Sequence, residues 1–163
     1  MSRPRDVVPA TPDDLDDVLD LLAEAASWLR ARGIEQWPTC FPREQIAESI
    51  ARGETHVVRE GATAVATLAL QWEDPFFWGE RPPDAGYVHR VAVRRAFAGR
   101  GLGVQLLDWA DQQIAARGRR YLRLDCMAEN PGLCAYYEGL GFERRGDVAR
   151  GVWRASLYER PCR

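Results

Sequence analysis

The sequence predicts an α/β (α+β) fold: one mixed, mostly antiparallel sheet with a central parallel pair and helices on both faces. Three observations carry that prediction. An alternating apolar run, Tyr87-Val88-His89-Arg90-Val91-Ala92-Val93, feeds a glycine-rich turn, Ala98-Gly99-Arg100-Gly101-Leu102-Gly103. Leu106, Leu107, Ala110 and Ile114 then recur at helical spacing, and Tyr121 to Cys126 is a second strand-like run, so 87–126 is one strand–helix–strand unit whose strands are parallel neighbours. Hairpin signals flank this unit on both sides.

The elements follow in order. Asp6 to Ala10 is a short edge strand, because Pro9 cannot donate to a ladder. Thr11 caps and Pro12 starts a helix on which Leu15, Val18, Leu19, Leu22, Ala26 and Leu29 share a face, with Gly33 as the stop. Pro42 to Arg52, ended by Gly53, is a shorter second helix. Thr55 to Glu60 and Thr63 to Trp72 form a hairpin about Gly61-Ala62. Residues 73–86 hold Pro75, Pro82, Pro83 and two glycines and are expected to be an irregular loop. The helix over 103–117 ends at Gly118, Asn130-Pro131 opens another, and 142–148 with 152–159 close the sheet as a hairpin.

Composition bounds the function. All 22 basic residues are Arg and the formal net charge is −2; the arginines are dispersed apart from pairs such as Arg94-Arg95 and Arg119-Arg120, which gives no basic patch for nucleic acid. A hydrophobic content of 46% and a charged content of 28% mark a globular chain rather than a disordered one. A chain of 163 residues buries about two thirds of its unfolded surface, so 1–163 is expected to be a single domain. No run approaches the roughly 18 apolar residues of a membrane span, and Met1 to Thr11 lacks the apolar segment of a secretory leader. No membrane partner is expected, and a cytoplasmic location is. Cys40, Cys126, Cys134 and Cys162 form no C-x-x-C pair, and His56 and His89 have no metal-ligand spacing, so neither a metal site nor a disulfide framework is expected. Cys126 and Cys134 are read as small buried hydrophobes in preference to acyl acceptors.

The turn between Ala98 and Gly103 sits at a helix N-terminus, where free amides and the helix dipole favour an anion such as a phosphate or pyrophosphate, and glycine lets the main chain approach it. A P-loop is excluded, because Val104 and Gln105 stand where Lys and Ser or Thr are required and the chain has no lysine. A dinucleotide fingerprint needs glycine where Val104 stands. Asp125, about 20 residues on, occupies the place of a ribose-binding acid and keeps a small NAD-type nucleotide-binding protein as an alternative.

Residues 98–103 resemble the pyrophosphate turn of the GNAT superfamily of N-acetyltransferases, Gln/Arg-x-x-Gly-x-Gly/Ala, at Gly101 and Gly103; Ala98 departs from its first position. Asn130-Pro131-Gly132-Leu133-Cys134-Ala135-Tyr136-Tyr137-Glu138-Gly139-Leu140-Gly141-Phe142 resembles that superfamily's second signature, an Asn opening a short helix, a Tyr seven residues later, and Gly-Phe beginning the next strand. The resemblance is detailed from about Tyr87 to Phe142, extends in element order over the rest, and is absent in detail from the first fifty residues. It implies a single GNAT-like domain whose parallel strands splay for acetyl-CoA, and transfer of an acetyl group to a primary amine of a small molecule or peptide. It further implies that the backbone of Val91, Ala92 and Val93 takes the pantetheine arm, the Val91 amide polarising the acetyl carbonyl. The turn Ala98, Gly99, Arg100, Gly101, Leu102, Gly103 and Val104 would hold the pyrophosphate, Asn130 would meet the pantetheine, and Tyr137 would protonate the leaving thiolate. Dimers are common in the superfamily, and no segment here identifies an interface.

The base is sought among the remaining polar residues. His89 alternates with Val91 and Val93 and is expected on their face, pointing toward the thioester end as base or water relay, with Tyr87 two residues earlier on that face. Glu35, Glu73 and Asp74 are alternative acids, each expected to be solvated. By the same resemblance the first helices and the loop before the central strand line the acceptor side, with Trp28, Trp37, Phe41, Trp72, Phe76, Phe77 and Trp78. Trp28, Trp37, Trp72, Glu73 and Tyr87 are the candidate acceptor-binding residues, through stacking and cation–π contact. Of the adjacent tyrosines, Tyr136 is the better packing residue and Tyr137 the functional one. A non-catalytic acyl-CoA sensor is the alternative that Ala98 and the open assignment of the base leave standing.

Overall fold

A computed structural model describes residues 5–163; residues 1–4 of the segment judged for a leader lie outside the described residues. Seven strands stand in the order β1-β2-β3-β4-β5-β7-β6. They are β1 (Val7–Pro9), β2 (Thr55–Glu60), β3 (Thr63–Gln71), β4 (Ala85–Val93), β5 (Tyr121–Met127), β6 (Glu143–Arg150) and β7 (Trp153–Pro161). The helices are α1 (Leu15–Arg30), α2 (Arg43–Ala51), α3 (Pro75–Trp78), α4 (Leu102–Ala116) and α5 (Pro131–Gly139). The β4–β5 pair is parallel, and β1–β2, β2–β3, β5–β7 and β6–β7 are antiparallel, which is the predicted fold class. Among the described residues no helix is long and apolar enough to cross a membrane.

The chain forms two compact units, and β4 passes from one into the other between His89 and Arg90. The first holds the chain up to Leu70 together with Arg90–Trp109. Its core is the apolar face of α1 (Val18, Leu21, Leu22) against Ile46 and Ile50 of α2, Val57 of β2, and Ala92 of β4; each large aliphatic side chain buried there contributes about 1.5–3 kcal/mol. The start of α1 is fixed by charge. Asp14 accepts from the Thr11 amide at 2.7 Å and pairs with Arg59 of β2 at 2.5 Å, so a helix cap and a strand are tied by one carboxylate.

The second unit holds Gln71–His89 and Ala110–Arg163. Its centre is ionic as well as apolar. Arg123 of β5 donates to Glu159 of β7 at 2.7 Å and to the Tyr87 phenol of β4 at 2.8 Å, and Asp111 of α4 pairs with Arg160 of β7 at 2.7 Å with both side chains 2% exposed.

Two expectations are corrected here. Residues 73–86 are not wholly irregular: Asp74 caps the short helix α3, its Oδ1 accepting from the Phe77 amide at 3.2 Å, and β4 begins at Ala85 rather than Tyr87. Prolines at the first position of a short helix and before a strand are read as loop residues when only their punctuation is weighed. The second concerns β4 itself. Arg90 has φ +51°, a left-handed conformation that costs a non-glycine residue of order 1–2 kcal/mol and interrupts the pleat. Alternation therefore does not carry through it, and His89 cannot be assigned to the face of Val91 and Val93 by counting.

Candidate active site

The glycine turn belongs to the first unit. Gly99 and Gly101 take φ +75° and +78°, and a Cβ added at either would meet nothing within 4 Å. Glycine is required there by backbone conformation and not by crowding. The Ala98 amide donates to the Arg95 carbonyl at 3.2 Å and the Gln105 amide to the Gly101 carbonyl at 3.0 Å. The turn leads directly into α4 at Leu102, and the first amides of a helix have no intrahelical acceptor, so it stands at a helix end that favours anions.

The second unit holds the acid–base groups. The parallel ladder pairs Ala85 with Tyr121, Gly86 with Leu122 and Tyr87 with Arg123, and ends there although both strands run on. Continuing that register by two residues sets His89 opposite Asp125, and the two side chains meet: His89 Nδ1 lies 3.7 Å from Asp125 Oδ1. On the other side of the ring, His89 Nε2 lies 3.3 Å from Asp74 Oδ2. Both carboxylates are more than nine-tenths buried. One oxygen or nitrogen from each of the three residues falls within 4.8 Å of the others, a cluster that the spacing of the histidines in the sequence does not reveal. The two carboxylates address different ring nitrogens, so the imidazole lies between two buried acids.

Burial and the neighbouring Asp74 carboxylate push Asp125 up to about 6, with His89 opposing them. The sign of the stability effect follows. In the native state Asp125 holds its proton to higher pH than the ordinary 3.8, so its contribution is present below about pH 4 and is lost as pH rises through about 6, a change of about 3 kcal/mol. Asp125→Asn is expected to gain stability over the parent by that amount between pH 4 and pH 7 in urea titrations. An advantage that stayed constant with pH would contradict the desolvated carboxylate.

Tyr137 lies on α5, whose N-terminus is set by Asn130 Oδ1 accepting from the Leu133 amide at 3.1 Å. Its ring packs against Tyr136, Phe142 and Tyr158 at centroid distances of 5.5, 5.6 and 6.2 Å. Burial, with added repulsion from Cys126, Tyr136 and Asp125, pushes its phenol well above the usual range. Asp125 is thus within electrostatic reach of both His89 and Tyr137.

The model of the acetyltransferase (GNAT) family matches residues 17–142. The chain belongs to the GNAT acetyltransferase family. It is 32% identical over 151 residues to the uncharacterized N-acetyltransferase YesJ of Bacillus subtilis, covering 88% of this chain and 84% of that one. A GNAT family acetyltransferase from Listeria monocytogenes superposes with a TM-score of 0.80 at 28% identity over 96% of this chain and 94% of that chain. The fold is shared with yncA of Salmonella typhimurium, a putative acetyltransferase solved with its cofactor acetyl-CoA, at a TM-score of 0.72 and 15% identity over 99% of this chain and 95% of that chain.

Within this GNAT chain the predicted site residues sort unevenly. His89, Tyr137 and Asn130 fall in the second unit beside Asp125, while Val91, Ala92, Val93 and Ala98 to Val104 lie in the first. Asp74, expected in solvent, is 8% exposed, whereas Glu35 and Glu73 are exposed. Tyr136 and Tyr137 exchange the expected packing roles: Tyr136 is 43% exposed and Tyr137 7%, because the face of α5 that meets β7 carries 137. Tyr87 is buried with its phenol accepting from Arg123, which fixes it in the ionic centre rather than in an acceptor surface. Trp28 carries Arg32 and Arg95 over its ring at 3.8 and 4.0 Å, and Trp72 carries Arg117 and Arg119 at 4.1 and 5.2 Å. The cation–π contacts expected from an acceptor are made by the chain's own guanidinium groups. Trp37 packs edge-on to Phe41 against the first unit's core. Asp125, weighed only as a ribose ligand, sits against an imidazole instead, and Asp74, expected as a solvated acid in a loop, caps α3 and meets the His89 ring.

Proposed function

We propose that the protein is an acetyl-CoA-dependent N-acetyltransferase acting on a primary amine of a small molecule or peptide, with His89 as base and Tyr137 as acid. The observation that carries this reading is the imidazole bracketed by the two buried carboxylates, one of which, Asp125, also acts on the charge of the Tyr137 phenol. The bound cofactor supplies the acetyl thioester. In this reading the amides of 99–104 hold its pyrophosphate, with Arg100 adding charge, the backbone of Val91 to Val93 takes the pantetheine, and the Val91 amide stabilises the oxyanion. The acceptor arrives as an ammonium, which Asp74 and Asp125 attract, and His89 removes its proton so that a neutral amine attacks. Asp74 and Asp125 orient the ring and stabilise the imidazolium that results. Tyr137, kept protonated by its surroundings, gives its proton to the departing thiolate.

The test separates this reading from its rivals. Acetyl-CoA at a hundredfold its Kd is expected to stabilise the protein by about 2.7 kcal/mol, a rise of roughly 5–11 °C in Tm, with NAD without effect. Primary amines are expected to release CoA thiol. Stabilisation without thiol release across an amine panel would mark a sensor, and stabilisation by NAD alone would overturn the assignment.

A further inference from the structure

Two thiols meet beside Tyr137 that acyl transfer does not use. Cys126 on β5 is 1% exposed, and Cys134 on α5 is half-buried. Their sulfurs lie 3.6 Å apart, and the Cys134 sulfur also lies 3.9 Å from the Met127 carbonyl. Cys134 and Tyr137 are three residues apart on one helix and so share its side, and Cys126 is close enough to the Tyr137 phenol to act on its charge. Among the described residues the four cysteines are free, and this pair is held in contact by two elements whose positions are fixed independently, β5 by its ladder to β7 and α5 by the Asn130 cap.

We propose that Cys134 and Cys126 form a modification site for hydroperoxides, closing reversibly to a disulfide that displaces Tyr137. The thiolate of Cys134 attacks one oxygen of the peroxide. The O–O bond breaks, the departing oxygen takes a proton and leaves as water or alcohol, and Cys134 becomes a sulfenic acid. The Cys126 sulfur then displaces hydroxide from the Cys134 sulfur, and the Cys126 proton leaves with that hydroxide as water. Two thiols and one peroxide give one disulfide, one alcohol or water, and one further water; the thiols lose two electrons and the peroxide gains them. The order follows from access, since Cys134 is the more exposed, and burial beside a second thiol pushes Cys126 up and makes it the poorer first nucleophile. Closure draws the sulfurs from 3.6 Å to the bonded distance of about 2.05 Å. That pull acts on α5 one turn ahead of Tyr137.

The covalent step stands apart from the proposed function; only its kinetic consequence rests on Tyr137 acting as acid. In a Cys40→Ser, Cys162→Ser background, hydrogen peroxide is expected to take the titratable thiols of the denatured protein from two to none. A mass loss of two hydrogens, a peptide bridging 126 and 134, and full recovery in dithiothreitol complete the signature. Cys134→Ser is expected to abolish the bridge, and Cys126→Ala to leave a sulfenic acid at Cys134 that a dione traps. Two thiols still present after peroxide has oxidised Cys40 in the parent, or a sulfinic acid at Cys134 without a bridge, would overturn the site. The oxidised protein is expected to keep less than a tenth of its turnover and Cys134→Ser to keep its turnover in peroxide; a bridge that forms with turnover unchanged would overturn the link to Tyr137. If the reduced protein acetylates no amine, the proposed function fails while the thiol count still decides the site.

Discussion

Replacing Tyr137 by Phe is expected to lower kcat about 100-fold or more while leaving the Kd for acetyl-CoA within about twofold, since general acid catalysis contributes typically 10²–10⁴ in rate. The substitution removes one oxygen and keeps the ring that packs against Phe142 and Tyr158, so the fold is retained and the loss is chemical. A loss of that size is about 2.7 kcal/mol or more of transition-state stabilisation. The pH dependence sharpens the test. Because the phenol is buried and its ionisation is pushed upward, the parent enzyme is expected to show no loss of kcat from this group up to about pH 10, the ordinary phenol value. Single-turnover thiol release with saturating amine measures both. Unchanged turnover in the Phe variant would remove Tyr137 from the chemistry and leave it a packing residue.

The largest effect on stability is expected at Asp111. Its carboxylate and the Arg160 guanidinium lie 2.7 Å apart with 2% of each side chain exposed, and Arg160 also donates to the Leu140 carbonyl at 2.9 Å just after α5. Asp111→Ala takes the carboxylate away from a buried guanidinium that cannot shed its proton. The expected cost is about 3–5 kcal/mol, or roughly 6–20 °C in Tm for a chain of this size. Replacing both partners at once, Asp111→Leu with Arg160→Met, is expected to recover most of that loss, because the pair's attraction is largely offset by the desolvation of its two charges. Calorimetry on the two variants decides the matter, and a double variant as unstable as the single one would show that the pair does more than neutralise itself.

Much of the architecture was legible because its signals are local. The hairpin at Gly61-Ala62, the cap at Asn130 and the helix face from Leu106 to Ile114 each depend on residues within one or two turns of one another, and each element stands where its pattern put it. The same holds for the glycine turn, where positive φ at Gly99 and Gly101 is a property of those two residues. Contacts between distant segments were not legible in that way. Asp74, His89 and Asp125 come from a helix cap and two strands, and only the parallel register of β4 and β5 sets the last two opposite each other. The left-handed backbone at Arg90 also had no signal, since Arg is not a residue that favours it. The arginines that stack on Trp28 and Trp72 are likewise set there by the tertiary structure and not by sequence spacing.

What the sequence determined alone is the order and type of the elements, the glycine turn and the family, because helix spacing, strand alternation, caps and glycine conformations are read within a few residues. What the tertiary structure decided is which ionisable groups share an environment. It buried Asp125 against His89, took Tyr137 rather than Tyr136 into the interior, and set Cys126 against Cys134. Proton affinity and thiol reactivity depend on desolvation and on charges a few ångströms away, and those distances exist only once the strands have paired.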